Sequence, residues 1–364
     1  MKTPYLEVDL NKVRESYKKF QKHLSGIEIY YAMKCNPNLE IMKTVLECGG
    51  QFEISSANEM KKAIAVGANP KKILFSNPIK TLNDIRTAHK AGVGYFAFDS
   101  YSEADKIAEG APGAKVYVRI SIPVRKSAVA SEGKFGVSIE YAKDLMIYAK
   151  KCGLEPYGIS FHVGSQMLDY TSWDSAIRHS AKLFRMLEKN HIHLSFLDIG
   201  GGFPVCYDDV RRDNLDKIGN SIQKALEKYI SNSVRVVAEP GRYLAADSGT
   251  MVSTIIGIAE RFGKKWLHLD VGADNGLMES VQTANSLAFP VRDSKKSIDK
   301  DIFILTGPTC DSQDTILFDV PISSNIEVGD KIYIECAGAY STAFTENFNG
   351  FLNPKTYIVD KTKG

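Results

Sequence analysis

Chemistry in this chain gathers where short apolar runs stop. Lys34 closes the run 27–33 within Tyr30-Tyr31-Ala32-Met33-Lys34-Cys35-Asn36. An amine at the end of a buried strand loses part of its hydration, which lowers its pKa toward neutrality and lets it form an imine. A lone lysine there is more often a side chain snorkelling to solvent, so Lys34 gains meaning only from its companions. His162 stands in Gly158-Ile159-Ser160-Phe161-His162-Val163-Gly164-Ser165, where a single histidine would ordinarily be a satisfied core residue. Gly200-Gly201-Gly202-Phe203-Pro204 lets backbone N–H groups approach an anion, although a glycine cluster is as often a plain tight turn. It matches neither the dinucleotide fingerprint nor the P-loop. Glu239-Pro240-Gly241-Arg242 adds a carboxylate and a fork-shaped cation suited to phosphate, with a surface ion pair as the plain alternative.

These residues need a scaffold that brings strand ends together. Eight short β-rich runs (27–33, 51–56, 73–76, 95–98, 115–120, 158–163, 196–199 and 234–238) alternate with segments of helical periodicity. That count over about 240 residues predicts an α/β fold, a (β/α)8 barrel of the TIM-like type, with a doubly wound open sheet as the competitor. Chemistry in such a barrel collects at the C-terminal strand ends. One rim would then carry Lys34, Glu53, Ser55, Asn77, Asp99, Arg119, His162, Ser165, the glycine run and Glu239 with Arg242. After Asp247 the rhythm turns strand-like, which predicts a C-terminal β-sandwich or β-barrel domain. The opening strand is expected to join it, giving a barrel over 11–247 and a discontinuous β domain from 1–10 and 248–364.

Composition narrows the function classes. With 46 Lys+Arg against 43 Asp+Glu the net charge is +3, and no basic block forms a phosphate-tracking stripe, so nucleic acid is not an expected partner. Apolar runs fall short of the roughly 20 residues of a bilayer span, and no secretory h-region opens the sequence, so a soluble cytoplasmic protein without a membrane partner is expected. Six scattered cysteines without C-x-x-C pairs argue against a disulfide framework and a zinc site. His191 and His193 lack a third ligand, so no metal is expected.

An imine-forming lysine, a phosphate cradle, a carboxylate for a ring nitrogen and a face-packing group together meet the needs of pyridoxal 5′-phosphate. The same residues resemble the fold type III, alanine racemase-like, pyridoxal-phosphate decarboxylases of the ornithine/lysine/arginine/diaminopimelate group. The resemblance spans nearly the whole chain. It rests on Tyr31-Ala32-Met33-Lys34-Cys35-Asn36, Ser160-Phe161-His162-Val163-Gly164-Ser165, Leu197-Asp198-Ile199-Gly200-Gly201-Gly202-Phe203-Pro204, Glu239-Pro240-Gly241-Arg242-Tyr243, Gly307-Pro308-Thr309-Cys310-Asp311-Ser312 and Gly338-Ala339-Tyr340-Ser341. The segment Thr309-Cys310-Asp311-Ser312 is most similar to ornithine-type decarboxylases.

The resemblance implies that Lys34 carries the cofactor, His162 stacks on its ring and Glu239 pairs with its nitrogen. Ser165, Gly202, Gly241, Arg242 and Tyr340 would hold the phosphate, and Glu53, Glu59 and Arg119 would form the surrounding polar shell. Cys310 would return a proton to Cα. Asp311, with Asp270 or Asp274 and Phe348, would face the substrate side chain, and the active site would be completed across a homodimer. Where Asp274 stands the family usually has an aromatic, so the side chain accepted is less defined than the reaction: ornithine first, lysine second, then arginine or a carboxylated polyamine. Two other readings remain open at this point. A racemase would need a second base on the opposite ring face, and a non-catalytic regulator would tend to lose the imine lysine or the phosphate ligands that this chain keeps.

Overall fold

Helices follow strands here because the loop after a strand supplies a cap. Asn38, Ser56, Thr81 and Ser100 each accept a backbone N–H of the first helical turn, from Glu40, Glu59, Asp84 and Glu103 respectively. Each such cap contributes on the order of 1 kcal/mol and fixes where the chain turns back. The computed structural model describes residues 1–122, 133–207, 214–284 and 286–360. Two compact units emerge: Tyr17–Pro204 with Asp213–Gly241, and Met1–Ser16 with Val205–Arg212 and Arg242–Gly364.

Strand β1 (Tyr5–Asp9) belongs to the second unit. The first unit holds β2 (Glu28–Ala32), β3 (Gln51–Ile54), β4 (Leu74–Phe75), β5 (Tyr95–Phe98), β6 (Lys115–Ile120), β7 (Glu155–Phe161), β8 (Phe196–Asp198) and β9 (Arg235–Ala238). They pair in parallel in chain order, and β9 returns to β2 through Glu28↔Val237 and Ile29↔Ala238, closing the barrel. The bidentate Arg235–Glu28 pair spans that seam at 2.6 and 2.8 Å. Tyr30, Leu74, Ala97, Tyr117, Phe196 and Val237 pack into one buried cluster drawn from six strands. Nearly continuous apolar sequence is what parallel strands covered on both faces require, which is why these runs stand out in the sequence.

In the second unit β10 (Gly249–Arg261) pairs with β1, β11 (Lys264–Leu269) and β15 (Lys331–Ile334), all antiparallel. A bulge between Ile255 and Gly257 bends this long strand. The sheet order is β12 (Val291–Asp293), β15, β10, β11, β13 (Lys300–Thr306), β14 (Thr315–Ser323), with β1 bridging β10 and β16 (Lys355–Val359). Some details differ from the sequence pattern. β12 and the short helix Met278–Gln282 lie in a stretch that shows few signals of either kind. β14 continues to Ser323 through Pro321, which an edge strand tolerates because its missing N–H is not needed by a neighbour. Among the described residues no helix is long and apolar enough to cross a membrane.

The contact between β7 and β8 tolerates no side chain at Gly158. A Cβ there would lie 2.5 Å from the Phe196 carbonyl oxygen and 2.6 Å from its ring. Gly158→Ala is expected to destabilise the protein by about 2 kcal/mol or more, whereas Gly94→Ala, which meets nothing within 4 Å, should be near neutral. Thermal unfolding of the two variants side by side checks the contrast.

Candidate active site

Seven of the residues picked out by sequence, Lys34, Glu53, Ser55, Asn77, Arg119, His162 and Glu239, line a single cavity of about 380 Å³ in the barrel unit. Lys34 rides on a short 3-10 turn, Met33–Cys35, that lifts it off the end of β2. The Tyr31 hydroxyl holds that turn by donating to the Asn36 carbonyl at 3.0 Å. The barrel interior, against which its place after an apolar run sets it, covers only part of Lys34. Its side chain is 48% exposed, and Nζ meets the buried Glu53 Oε2 at 2.6 Å. The turn carries the amine past the apolar strand to the mouth, where a carboxylate is its partner.

Glu239 follows β9 and accepts a hydrogen bond from the Ser76 hydroxyl, which is itself 2.7 Å from the Tyr117 hydroxyl. Burial raises the Glu239 pKa, and the Glu53 charge adds to it. Asp198 at the end of β8 is fully enclosed and accepts the Gly200 N–H at 2.8 Å. Burial and then the nearby Glu239 carboxylate push its pKa well up. Ser76, Tyr117 and Asp198 were not among the sequence candidates. Asp198 lies inside the motif that carries Gly200–Gly202, and Ser76 falls just beyond the two-residue strand β4. Glu59 caps the next layer by accepting the Ser55 N–H at 2.6 Å, and burial raises its pKa.

His162 stands one residue past β7. Burial, then the Arg119 and Lys34 charges, pull its pKa down to about 3, so the imidazole is neutral throughout the physiological range. Gly200 and Gly202 take left-handed φ of 64° and 93°, and a Cβ on them would lie 2.2 Å from the Phe161 carbonyl oxygen and 2.1 Å from that of Gly164. A Cβ on Gly201 would lie 2.6 Å from the Glu239 carbonyl oxygen and 3.7 Å from His162 Cε1. Three successive residues therefore admit only glycine, and backbone rather than side chain forms the floor beside the imidazole. Ser165 follows left-handed Gly164, and Gly241 follows Glu239 and Pro240, where a Cβ would lie 3.1 Å from Cys35 Cβ and 3.2 Å from Ala32 Cβ. A carboxylate, a neutral flat face, an amine and a side-chain-free cradle are the donor set that pyridoxal phosphate requires, so these residues fit that group.

Other candidates belong to the second unit. Arg242 is buried and makes a bidentate pair with Glu279, with Nη1 also 2.7 Å from the Tyr207 hydroxyl and the guanidinium 4.8 Å from the Tyr340 ring centroid. A phosphate reaching Arg242 would share it with that carboxylate, a partner 37 residues away that the sequence gave no reason to link. Tyr340 adopts φ 55° and stacks on Phe344. Asp270 Oδ1 accepts the Ser253 hydroxyl at 2.6 Å and the Thr254 N–H at 2.9 Å, so it fastens β11 to β10. Asp274 keeps a raised pKa, from burial and from the surrounding Asp314, Asp311 and Glu346 charges. Cys310, Asp311 and Phe348 are exposed on this unit.

The low His162 pKa has a measurable consequence. Because the unfolded chain takes up this proton near 6.5 and the folded one only near 3, His162 costs stability as pH falls through that window. His162→Gln, which cannot titrate, should lose less stability than the parent between about pH 7 and pH 4. Denaturant unfolding at both pH values checks this, and equal losses would contradict the neutral assignment.

Residues 10–246 match a family model described as the pyridoxal-binding domain of pyridoxal-dependent decarboxylases. The chain is similar to a lysine/ornithine decarboxylase of Selenomonas ruminantium, 34% identical over 363 residues that cover 98% of this chain and 90% of the relative. Among solved structures, a lysine/ornithine decarboxylase from Vibrio vulnificus complexed with cadaverine is 29% identical with a TM-score of 0.89, covering 98% of this chain and 94% of that one. The arginine decarboxylase of Paramecium bursaria Chlorella virus bound to agmatine is 28% identical with a TM-score of 0.92, covering 99% and 98%.

Proposed function

Since the chain belongs to the pyridoxal-dependent decarboxylase family, we propose that it removes the α-carboxylate of a basic L-amino acid, ornithine before lysine. One observation carries the reading: Lys34, Glu53, His162 and Glu239 face a single cavity, and the glycine run beside His162 excludes every side chain. Bound pyridoxal phosphate supplies an electron-accepting ring conjugated to the substrate amine. Lys34 is the residue that holds it covalently and later yields that position to substrate. Glu239 accepts a hydrogen bond from the ring nitrogen, and Ser76 keeps Glu239 aimed. The neutral His162 covers one face without adding a cation beside Arg119 and Lys34. Backbone N–H groups of Gly200–Gly202, with Ser165 and Gly241, would hold the phosphate.

Asp311, with Asp274 beside it, receives the distal ammonium, which fixes the substrate's long axis and with it the Cα bond that breaks. Cys310 then gives its thiol proton to Cα: the S–H bond breaks, a C–H bond forms, and the thiolate is reprotonated from water. Cys310 and Asp311 are exposed on their own unit, which suits delivery to the barrel mouth of a second copy in a homodimer. The basic substrates and products in the relatives' names support a distal cation, and the crowding of Asp274, Asp311 and Glu346 suits a further basic group, as in a carboxylated polyamine.

Incubation with ornithine, lysine, arginine and diaminopimelate in turn, scored by CO2 and amine product, tests the proposal. Ornithine should give putrescine at the highest kcat/KM. No CO2 from any of the four would refute it. Asp311→Asn should raise KM for ornithine by about tenfold or more, because a single charge-assisted contact to the distal ammonium is lost.

A further inference from the structure

A single amide oxygen gathers both donors of Cys310. The Cys310 N–H and S–H both point to Asn349 Oδ1, with N and Sγ at 3.1 and 3.3 Å. Two donors of one residue converging on one acceptor leave the thiol little rotational freedom. The neighbours are tied elsewhere. Thr309 gives its N–H and hydroxyl to Asp314 Oδ2 at 3.0 and 2.7 Å, while Asp311 Oδ1 accepts the Gln313 N–H at 2.9 Å.

Asn349 also occupies an expensive backbone conformation. Within the turn Phe348–Gly350 it takes φ 51° and ψ 16°, a left-handed state that disfavours any residue with a Cβ. Glycine would meet that backbone demand at lower cost. What glycine lacks is the amide, and the amide's oxygen is on Cys310.

We propose that Asn349 is a positioning residue that holds the Cys310 proton donor in one rotamer until Cα needs the proton. The proposal rests on the reading of Cys310 as that donor. An acceptor shared by the N–H and the S–H of one residue fixes the rotamer of that residue and with it the direction of the S–H bond. Asn349 follows Phe348, so the same turn couples the donor to a residue placed beside the substrate.

The test uses Asn349→Gly, Asn349→Asp and Cys310→Ala in the full holoenzyme. All three are read by kcat and KM, and the two Asn349 variants also by the rate at which iodoacetamide labels Cys310, with the site located by peptide mapping. Gly relaxes the backbone but removes the acceptor, so kcat should fall about tenfold or more at nearly unchanged KM. Labelling of Cys310 should quicken several-fold as the thiol is released. Asp keeps an acceptor oxygen at the same reach and tolerates the turn, so it should restore both quantities to within a few-fold of the parent. A merely structural turn would be spared or improved by glycine. Parental kcat and labelling in Asn349→Gly, or an Asp variant as impaired as Gly, overturns the proposal. Impaired Cys310→Ala beside an unimpaired Asn349→Gly overturns it alone, whereas parental turnover in Cys310→Ala overturns the donor reading and the proposal together.

Discussion

The barrel mouth is organised around carboxylates that repel one another. Glu53, Asp198 and Glu239 come from three separate strand ends, and burial already raises the pKa of the latter two before neighbouring charges add to it. Lys34 answers with an ion pair to Glu53, and Arg119 feels the attraction of Glu239, Asp99, Asp198 and Glu53. His162 sits beside those two cations and is kept neutral by them and by burial. A ligand with a protonable ring nitrogen and a phosphate meets this arrangement at both ends. Its nitrogen would relieve the carboxylates, and its phosphate would find the bare amides of the glycine run, where no side chain can stand.

The rest of the barrel unit follows from holding these groups still. Six strands contribute to the cluster containing Tyr117, whose hydroxyl touches Ser76, and Ser76 in turn holds Glu239. The packed core thus reaches the chemistry through two hydroxyls. On the second unit Asp314 has a comparable function: its carboxylate accepts the Ala273 N–H and both donors of Thr309, joining the segments that carry Asp274 and Cys310. Gly272 and Gly307 are needed there, because a Cβ on either would lie within 2.3 Å of that carboxylate.

Much of this is legible in sequence where a signal is local. The barrel strands show as apolar runs, and Tyr95–Phe98 and Lys115–Ile120 coincide with their runs at both ends. Lys34, the glycines and Glu239 show because each directly follows such a run, and His162 because it is the ionisable residue inside the run 158–163. What escapes is long-range partnership. Ser76 reaches Glu239 across 163 residues, and Glu279 reaches Arg242 from a short helix that its sequence hardly announces. Nothing in the sequence around Asp270 announces the hydrogen bonds it accepts from Ser253 and Thr254. Asn349 is one polar residue in a polar turn, and only its φ and its proximity to Cys310 distinguish it.

Everything depends on Lys34 being the amine that an aldehyde cofactor selects despite its ion pair with Glu53. Borohydride reduction of the purified protein with pyridoxal phosphate, followed by peptide mapping, addresses this directly. The expected result is a single stable adduct on Lys34, abolished in Lys34→Ala. Label on another lysine, or no label while the cofactor remains bound, contradicts the account.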